Sequence, residues 1–160
     1  MITIGLDPGD TTGIAIANAA LQIEGAFSPQ GFDTTCGVLE QLVEMLVRIH
    51  GPADVTIVSE QFVFLRNVPI NARNVVRLEG VIQYMRSKYH CAVTFQQPDE
   101  RTAFRPLANV RAYHYLANYP LPDHRRHIID AYAHILRYHK AVPTQAEVDL
   151  IQKHIFKNGG

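Results

Sequence analysis

Cysteine, excess charge and long apolar runs are all scarce in this chain of 160 residues, and each scarcity excludes a class of protein. The two cysteines, Cys36 and Cys91, form no CxxC pair, so neither a zinc site nor a disulfide framework is expected. No apolar run reaches the roughly 18 residues that a membrane helix needs, and no charged-then-apolar leader opens the chain. We therefore expect a cytoplasmic protein with no membrane partner.

The chain carries no net charge, because 15 basic residues balance 15 acidic ones. This balance argues against a strongly basic nucleic-acid-binding protein, but it conceals an uneven distribution. Residues 1–60 have a net charge of −7, whereas residues 61–140 have a net charge of +7. Such asymmetry is typical of proteins that contact nucleic acid, although a chance partition of surface charges would give the same totals.

The length predicts one domain over residues 1–160, and 47% hydrophobic with 19% charged residues is typical of a globular protein. Period-two alternation and turn-forming residues predict three early strands joined by short connections. Helices and short strands then alternate, and three helices end the chain, the last at about 144–156. This order predicts an α/β fold with a mixed central sheet, in which three antiparallel strands precede parallel ones and helices flank them.

Four polar residues lie where chemistry could be organised. Asp7 ends the first predicted strand, Glu60 ends the strand over 55–59, and His127 and Asp130 share one turn at the start of a helix. Carboxylates that converge at one sheet edge repel each other unless cations neutralise them. Oxygen ligands with one imidazole suit Mg²⁺ or Mn²⁺, and two such ions about 4 Å apart promote phosphodiester hydrolysis.

Each of these residues also has an ordinary structural explanation. Asp7 precedes Pro-Gly, a common turn position, and Glu60 could mark the point where a strand emerges into water. Asp130 could interact with the positive end of its helix dipole. Taken singly, each explanation is more common than catalysis, so only the combination favours a metal site.

Three motifs occur in order: IGLDPG at 4–9, EQ at 60–61 and HIID at 127–130. Together they resemble the motifs of RuvC-type Holliday junction resolvases, members of the ribonuclease H-like superfamily, over roughly residues 1–139. The resemblance implies a ribonuclease H-like fold and a homodimer. It also implies symmetric nicking of branched DNA, in particular the four-way junction, with two Mg²⁺ ions per active site and Mn²⁺ as a substitute.

The same resemblance assigns roles to the four polar residues. Asp7, Glu60 and Asp130 would be the metal-binding carboxylates, and His127 would bind metal or move protons near the attacking water. His134 lies four residues after Asp130 on the same helix face, so a metal role is conceivable. The family usually has an apolar residue there, which favours a histidine that packs or supports the ligands.

The DNA-binding residues are less clearly indicated. RuvC enzymes carry an aromatic wedge three residues after the second acid, where this chain has Val63 between Phe62 and Phe64. Either phenylalanine could stack at the junction centre, or both could be core residues. The basic stretch before the last family helices is matched only in part, and the helix at 144–156 has no counterpart. These departures suggest a divergent branch, of viral or mobile-element origin, acting in a bacterium or a virus-infected host cell. The arginines expected to contact phosphates are Arg66, Arg73 and Arg105.

Several other functions remain open at this stage. A structure-specific nuclease for flaps or forks would use the same site, and a catalytically inactive relative would bind junctions without cutting them. Retention of all four site residues argues against the inactive form. The turn after Asp7 also fits actin-like ATPases and sugar kinases, but those need a second such domain and a second phosphate loop, for which 160 residues leave no room.

Overall fold

The computed structural model describes residues 1–61, 72–97, 101–117 and 119–157. Within these ranges one sheet has the strand order β3-β2-β1-β4-β5. The pairs β1–β2 and β2–β3 are antiparallel, whereas β1–β4 and β4–β5 are parallel, so the predicted mixed sheet is confirmed. The strands are β1 (Ile2–Asp7), β2 (Gly13–Ala17), β3 (Ile23–Phe27), β4 (Val55–Glu60) and β5 (Ala92–Gln96).

The described part of the chain contains five helices, with short 3₁₀ turns at 52–54, 102–104 and 122–124. Helix α3 has Pro106 in its first turn, a position that suits proline because the missing N–H would have no partner there. None of these helices is long and apolar enough to cross a membrane. Their bounds are α1 (Phe32–His50), α2 (Ala72–Tyr89), α3 (Arg105–Leu116), α4 (Arg125–Tyr138) and α5 (Gln145–Lys157).

The alternation of β1 divides the core into two layers. Ile2, Ile4 and Leu6 face one side and pack with buried residues of α1 and α2. The alternate residues of β1, which are Thr3, Gly5 and Asp7, face α4 instead. The pattern of apolar residues thus places the Asp7 carboxylate under α4 rather than against α1 and α2.

Helix α4 crosses β1 and β2 so closely that side chains are excluded at two points. A Cβ added to Gly5 would lie 2.1 Å from the carbonyl oxygen of Ala131, and one added to Gly13 would lie 2.0 Å from that of His127. Both distances are shorter than any non-bonded contact, so only glycine permits this approach. The two glycines therefore set the height of α4 above the strand that carries Asp7.

Helix α5, the predicted C-terminal helix, is attached to α3 through Arg111. The Arg111 Nε atom lies 2.8 Å from Glu147 Oε1, and its Nη2 donates to the carbonyl of Val142 at 3.3 Å. Glu147 also accepts from the backbone N–H of Thr144 at 2.7 Å, while its own N–H donates to Thr144 Oγ1 at 3.3 Å. This is a capping box, so one carboxylate both caps α5 and docks it.

The Arg111–Glu147 pair predicts a pH-dependent contribution to stability. Hydrogen bonds from Arg111 lower the pKa of Glu147 from 4.5 to about 2. Because the folded pKa is depressed, the contribution is complete above about pH 4.5 and is lost as the pH falls towards 2. We expect Glu147→Gln, which can still form a capping box, to lower the free energy of unfolding at pH 7 by about 1–2 kcal/mol.

Denaturant unfolding of both proteins between pH 7 and pH 3 measures this effect. The difference between them should shrink steadily below pH 4.5. A difference that stays constant over this range would show that the charge of Glu147 does not dock α5.

Candidate metal centre and active site

Two carboxylates lie side by side at the carboxyl edge of the parallel strands. Leu6 of β1 pairs with Ser59 of β4, so the next residues of the two strands, Asp7 and Glu60, are neighbours across the ladder. Glu60 in turn pairs with Gln96, the last residue of β5. Because residues in register on adjacent strands point to the same face, the three side chains form a row beneath α4.

Helix α4 supplies the other groups. His127, Asp130 and His134 lie on one helix face, at spacings of three and four residues. His127 Nδ1 lies 3.0 Å from Asp7 Oδ2, which joins the helix to the end of β1. The turn-rich segment after β1 and the close packing at Gly13 together bring these two residues into contact.

A guanidinium occupies the space between the two strand carboxylates. Arg101 Nη1 lies 2.6 Å from Asp7 Oδ1, contacts Glu60 Oε2, and is 3.5 Å from His134 Nε2. Arg101 is one of the three arginines, with Arg105 and Arg111, by which the sequence partly matches the family's basic stretch. Three polar groups of the site thus surround one positive charge.

The same three side chains form a possible metal site. Ligand atoms of Asp7, Glu60 and His134 all lie within 4.8 Å of one another. Two carboxylate oxygens and an imidazole nitrogen suit a hard or borderline divalent ion, and the absence of a thiolate from this set makes structural zinc a poor match. The donor set therefore fits the divalent metal that the sequence predicted.

Asp130 extends this site along α4. Its Oδ1 is buried and accepts no hydrogen bond from the described residues, although Arg105 Nε lies 2.9 Å away as an ion pair. Burial, followed by repulsion from the Asp7 charge, raises the pKa of Asp130. A buried carboxylate oxygen with no aligned donor is suited to a metal ion, since a cation would both pair with it and satisfy its lone pairs.

The predicted site residues are therefore placed in two groups. Asp7 and Glu60 lie at the carboxyl edge of the sheet, and His127 and Asp130 lie on the facing side of α4, as described above. Among the predicted DNA contacts, Arg105 pairs with Asp130, and Arg73 is exposed on the first turn of α2. The predictions for Phe62, Phe64 and Arg66 lie outside the described residues.

Two residues at the site have more contacts than the sequence predicted. A packing or supporting role was favoured for His134, yet its side chain is one of the three that could hold a metal ion. Gln96 was not singled out, although it contacts His134 and is in register with Glu60. Gln96 directly follows the apolar run over 92–95, as Glu60 follows the run over 55–59, and this position was the signal that could have identified it.

Comparisons with known proteins bear on the fold. No model of a protein family matches the sequence, and no curated protein resembles it closely enough in sequence to match. Solved structures do match. RuvC from Thermus thermophilus in complex with a Holliday junction substrate aligns with a TM-score of 0.59 and 17% identity, over 87% of this chain and 92% of that one. A second structure of T. thermophilus RuvC aligns with a TM-score of 0.58 and 18% identity, over 87% of this chain and 93% of that one.

A third match comes from a eukaryote. The yeast mitochondrial Holliday junction resolvase Ydc2 aligns with a TM-score of 0.52 and 12% identity, over 95% of this chain and 83% of that one. At these identities the similarity concerns the fold and not the roles of individual residues. The chain thus has the ribonuclease H-like α/β fold of RuvC-type Holliday junction resolvases, as its motifs predicted.

Proposed function

We propose that this protein is a divalent-metal-dependent endonuclease that cleaves branched DNA and resolves Holliday junctions by symmetric nicking. One observation carries the proposal. On the fold of Holliday junction resolvases, Asp7 and Glu60 from adjacent parallel strands meet the His127–Asp130 turn of α4 at one sheet edge. Such a nuclease would serve DNA recombination and repair.

The carboxylates supply the metal ligands. Asp7, Glu60 and Asp130 would hold Mg²⁺ or Mn²⁺, two ions per site. When bound, such ions stabilise the charge of the attacked phosphate and of the leaving oxygen, and they acidify water. Asp7 is nine-tenths buried on its side chain, so its charge is weakly screened and attracts a cation strongly.

His127 is placed to handle a proton. Its Nδ1 faces a carboxylate oxygen of Asp7, and its Nε2 lies 3.3 Å from the N–H of Arg126 Nε. An ionised carboxylate and a guanidinium N–H require opposite roles of the two nitrogens, so Nδ1 carries the proton and Nε2 is the basic atom. His127 would therefore accept a proton at Nε2 from water near the scissile phosphate.

Arginines at the site would bind the DNA backbone once metal ions neutralise the carboxylates. Arg105 is half exposed beside Asp130, and Arg101 lies between Asp7 and Glu60. Both side chains could turn from carboxylate to phosphate, since a guanidinium binds both by the same paired N–H donors.

Symmetric nicking needs two active sites, so the working form would be a homodimer on the four-way junction.

The proposal is tested with synthetic DNA substrates compared side by side. A four-way junction, a flap, a fork and a linear duplex of equal length are incubated with the protein and Mg²⁺ or Mn²⁺. We expect paired nicks at symmetric positions of the junction, products that ligase reseals, and no cleavage in a chelator. Faster cleavage of flaps or forks would mean that those structures, and not the four-way junction, are the preferred substrates. Junction binding without cleavage in the presence of either metal would mean that the protein is a catalytically inactive relative.

A further inference from the structure

His134 is a buried polar side chain that the proposed reaction does not yet use. Its side chain is 0% exposed, on α4 beneath the catalytic edge of the sheet. A histidine enclosed to this degree must have both ring nitrogens satisfied, or it destabilises the fold. What its two nitrogens face therefore decides what it does.

Gln96 fixes the protonation of one nitrogen. The Gln96 amide nitrogen donates to the backbone carbonyl of His134 at 3.2 Å, because a carbonyl can only accept. The amide oxygen is then left facing His134 Nδ1 at 2.8 Å, and this oxygen also can only accept. The Nδ1 atom must carry the proton and donate it to Gln96. Two contacts from one buried amide thus hold the imidazole in a single tautomer and orientation.

The other nitrogen faces the site with a free electron pair. In the neutral ring Nε2 is unprotonated, and it lies 3.6 Å from Glu60 Oε2. Two electron-rich atoms at that distance repel unless a cation stands beside both of them. The guanidinium of Arg101 is that cation here, with its Nη1 3.5 Å from Nε2 and in contact with Glu60. A histidine that merely filled the core would have no need of this arrangement.

We infer that His134 Nε2 is a direct ligand of the catalytic divalent ion, with Gln96 as the positioning residue that orients it. The inference rests on the proposed function and names the ion. Mg²⁺ prefers oxygen ligands and gives up water reluctantly, whereas first-row transition ions accept imidazole nitrogen. Of the two ions proposed above, an imidazole ligand therefore favours Mn²⁺ over Mg²⁺.

Electron spin echo envelope modulation of bound Mn²⁺ tests the ligand directly, without DNA. His127→Asn is used as the background, so that His127 cannot supply the nitrogen signal. We expect ¹⁴N modulation from an imidazole in this protein, and its conversion to the ¹⁵N pattern when only histidine is isotopically labelled. The labelling needs no change at His134, so the test does not depend on how His134 variants fold. Mn²⁺ bound without any histidine modulation overturns the inference, and so does a failure to bind Mn²⁺.

Variants then separate the ligand from its support. His134→Leu in the same background should abolish the modulation. His139→Leu should preserve it, because His139 lies outside the site and forms a hydrogen bond with Thr3. Gln96→Leu should weaken Mn²⁺ binding about 10–100-fold, and Gln96→Glu, which keeps an acceptor for Nδ1–H, should retain the modulation. Titration calorimetry should show that His134→Leu loses affinity for Mn²⁺ far more than for Mg²⁺, and equal losses contradict the choice of ion.

The outcome is distinguishable from that of the proposed function. Metal-dependent cleavage of the four-way junction without histidine modulation supports the proposed nuclease function and contradicts His134 as a ligand. Histidine modulation in a protein that cleaves no branched substrate supports His134 as a ligand and contradicts the proposed nuclease function.

Discussion

Asp7→Asn will lower the rate of metal-dependent junction cleavage by at least about 10³-fold, which corresponds to about 4 kcal/mol of lost transition-state stabilisation. Asp7 is the group on which the site converges, because its two oxygens contact His127 and Arg101. The amide is nearly the same size as the carboxylate but carries no charge. The substitution therefore removes attraction for a divalent ion while the packing beneath α4 stays intact.

Asp10→Asn is the matched control for this change. Asp10 lies three residues away in the same turn-rich segment, and its side chain is exposed. We expect the Asp10→Asn protein to cleave at nearly the wild-type rate. The melting temperatures of both variants should stay within a few degrees of the wild-type value. Single-turnover cleavage at saturating protein measures the rates, and an Asp7→Asn protein that cleaves like Asp10→Asn would remove Asp7 from the metal site.

Gly13→Ala will destabilise the fold by about 3 kcal/mol or more and will misplace the site in the molecules that remain folded. The added Cβ would lie 2.0 Å from the carbonyl oxygen of His127 and 2.2 Å from its carbon, both backbone atoms that cannot rotate away. Helix α4 must therefore move off the sheet. His127 and Asp130 would move with it, and a displacement of about 1 Å at reacting groups costs on the order of 100-fold in rate.

Gly37→Ala is the same chemical change as Gly13→Ala, but we expect it to have the opposite effect on stability. Gly37 lies in α1, and a Cβ there meets no atom within 4 Å. Alanine should stabilise this helix by about 0.5–1 kcal/mol. Denaturant unfolding followed by circular dichroism compares the two variants, and equal stabilities would mean that α4 does not rest on Gly13.

Much of the fold could be predicted because its signals are local. The alternation of Ile2, Ile4 and Leu6, followed by turn-forming residues, fixes both the strand and the position of Asp7 at its end. The spacing of His127 and Asp130 likewise puts them on one helix face. Parallel pairing of β1 with β4, through a connection that contains β2, β3 and α1, brings Asp7 to Glu60.

The site contacts that were missed depend on packing between distant segments. His127 and His134 lie three and four residues from Asp130, so helical spacing does not distinguish their roles. Gln96 distinguishes them, and it lies on a strand 38 residues away from His134. Arg101 presents the same difficulty, because its partners come from β1, β4 and α4. The phosphate contacts of Arg66 and Arg73 and the stacking of Phe62 or Phe64 stay predictions.

The position of Arg101 has a practical consequence for experiments on this protein. Asp7 and Glu60 share a positive charge that belongs to the chain itself, so their mutual repulsion is relieved before any metal arrives. Chelators would then remove divalent ions without unfolding the protein. Preparations could be purified in chelator, bound to DNA and stored inert. A pulse of metal would then start every molecule at the same moment, as rapid-mixing kinetics requires.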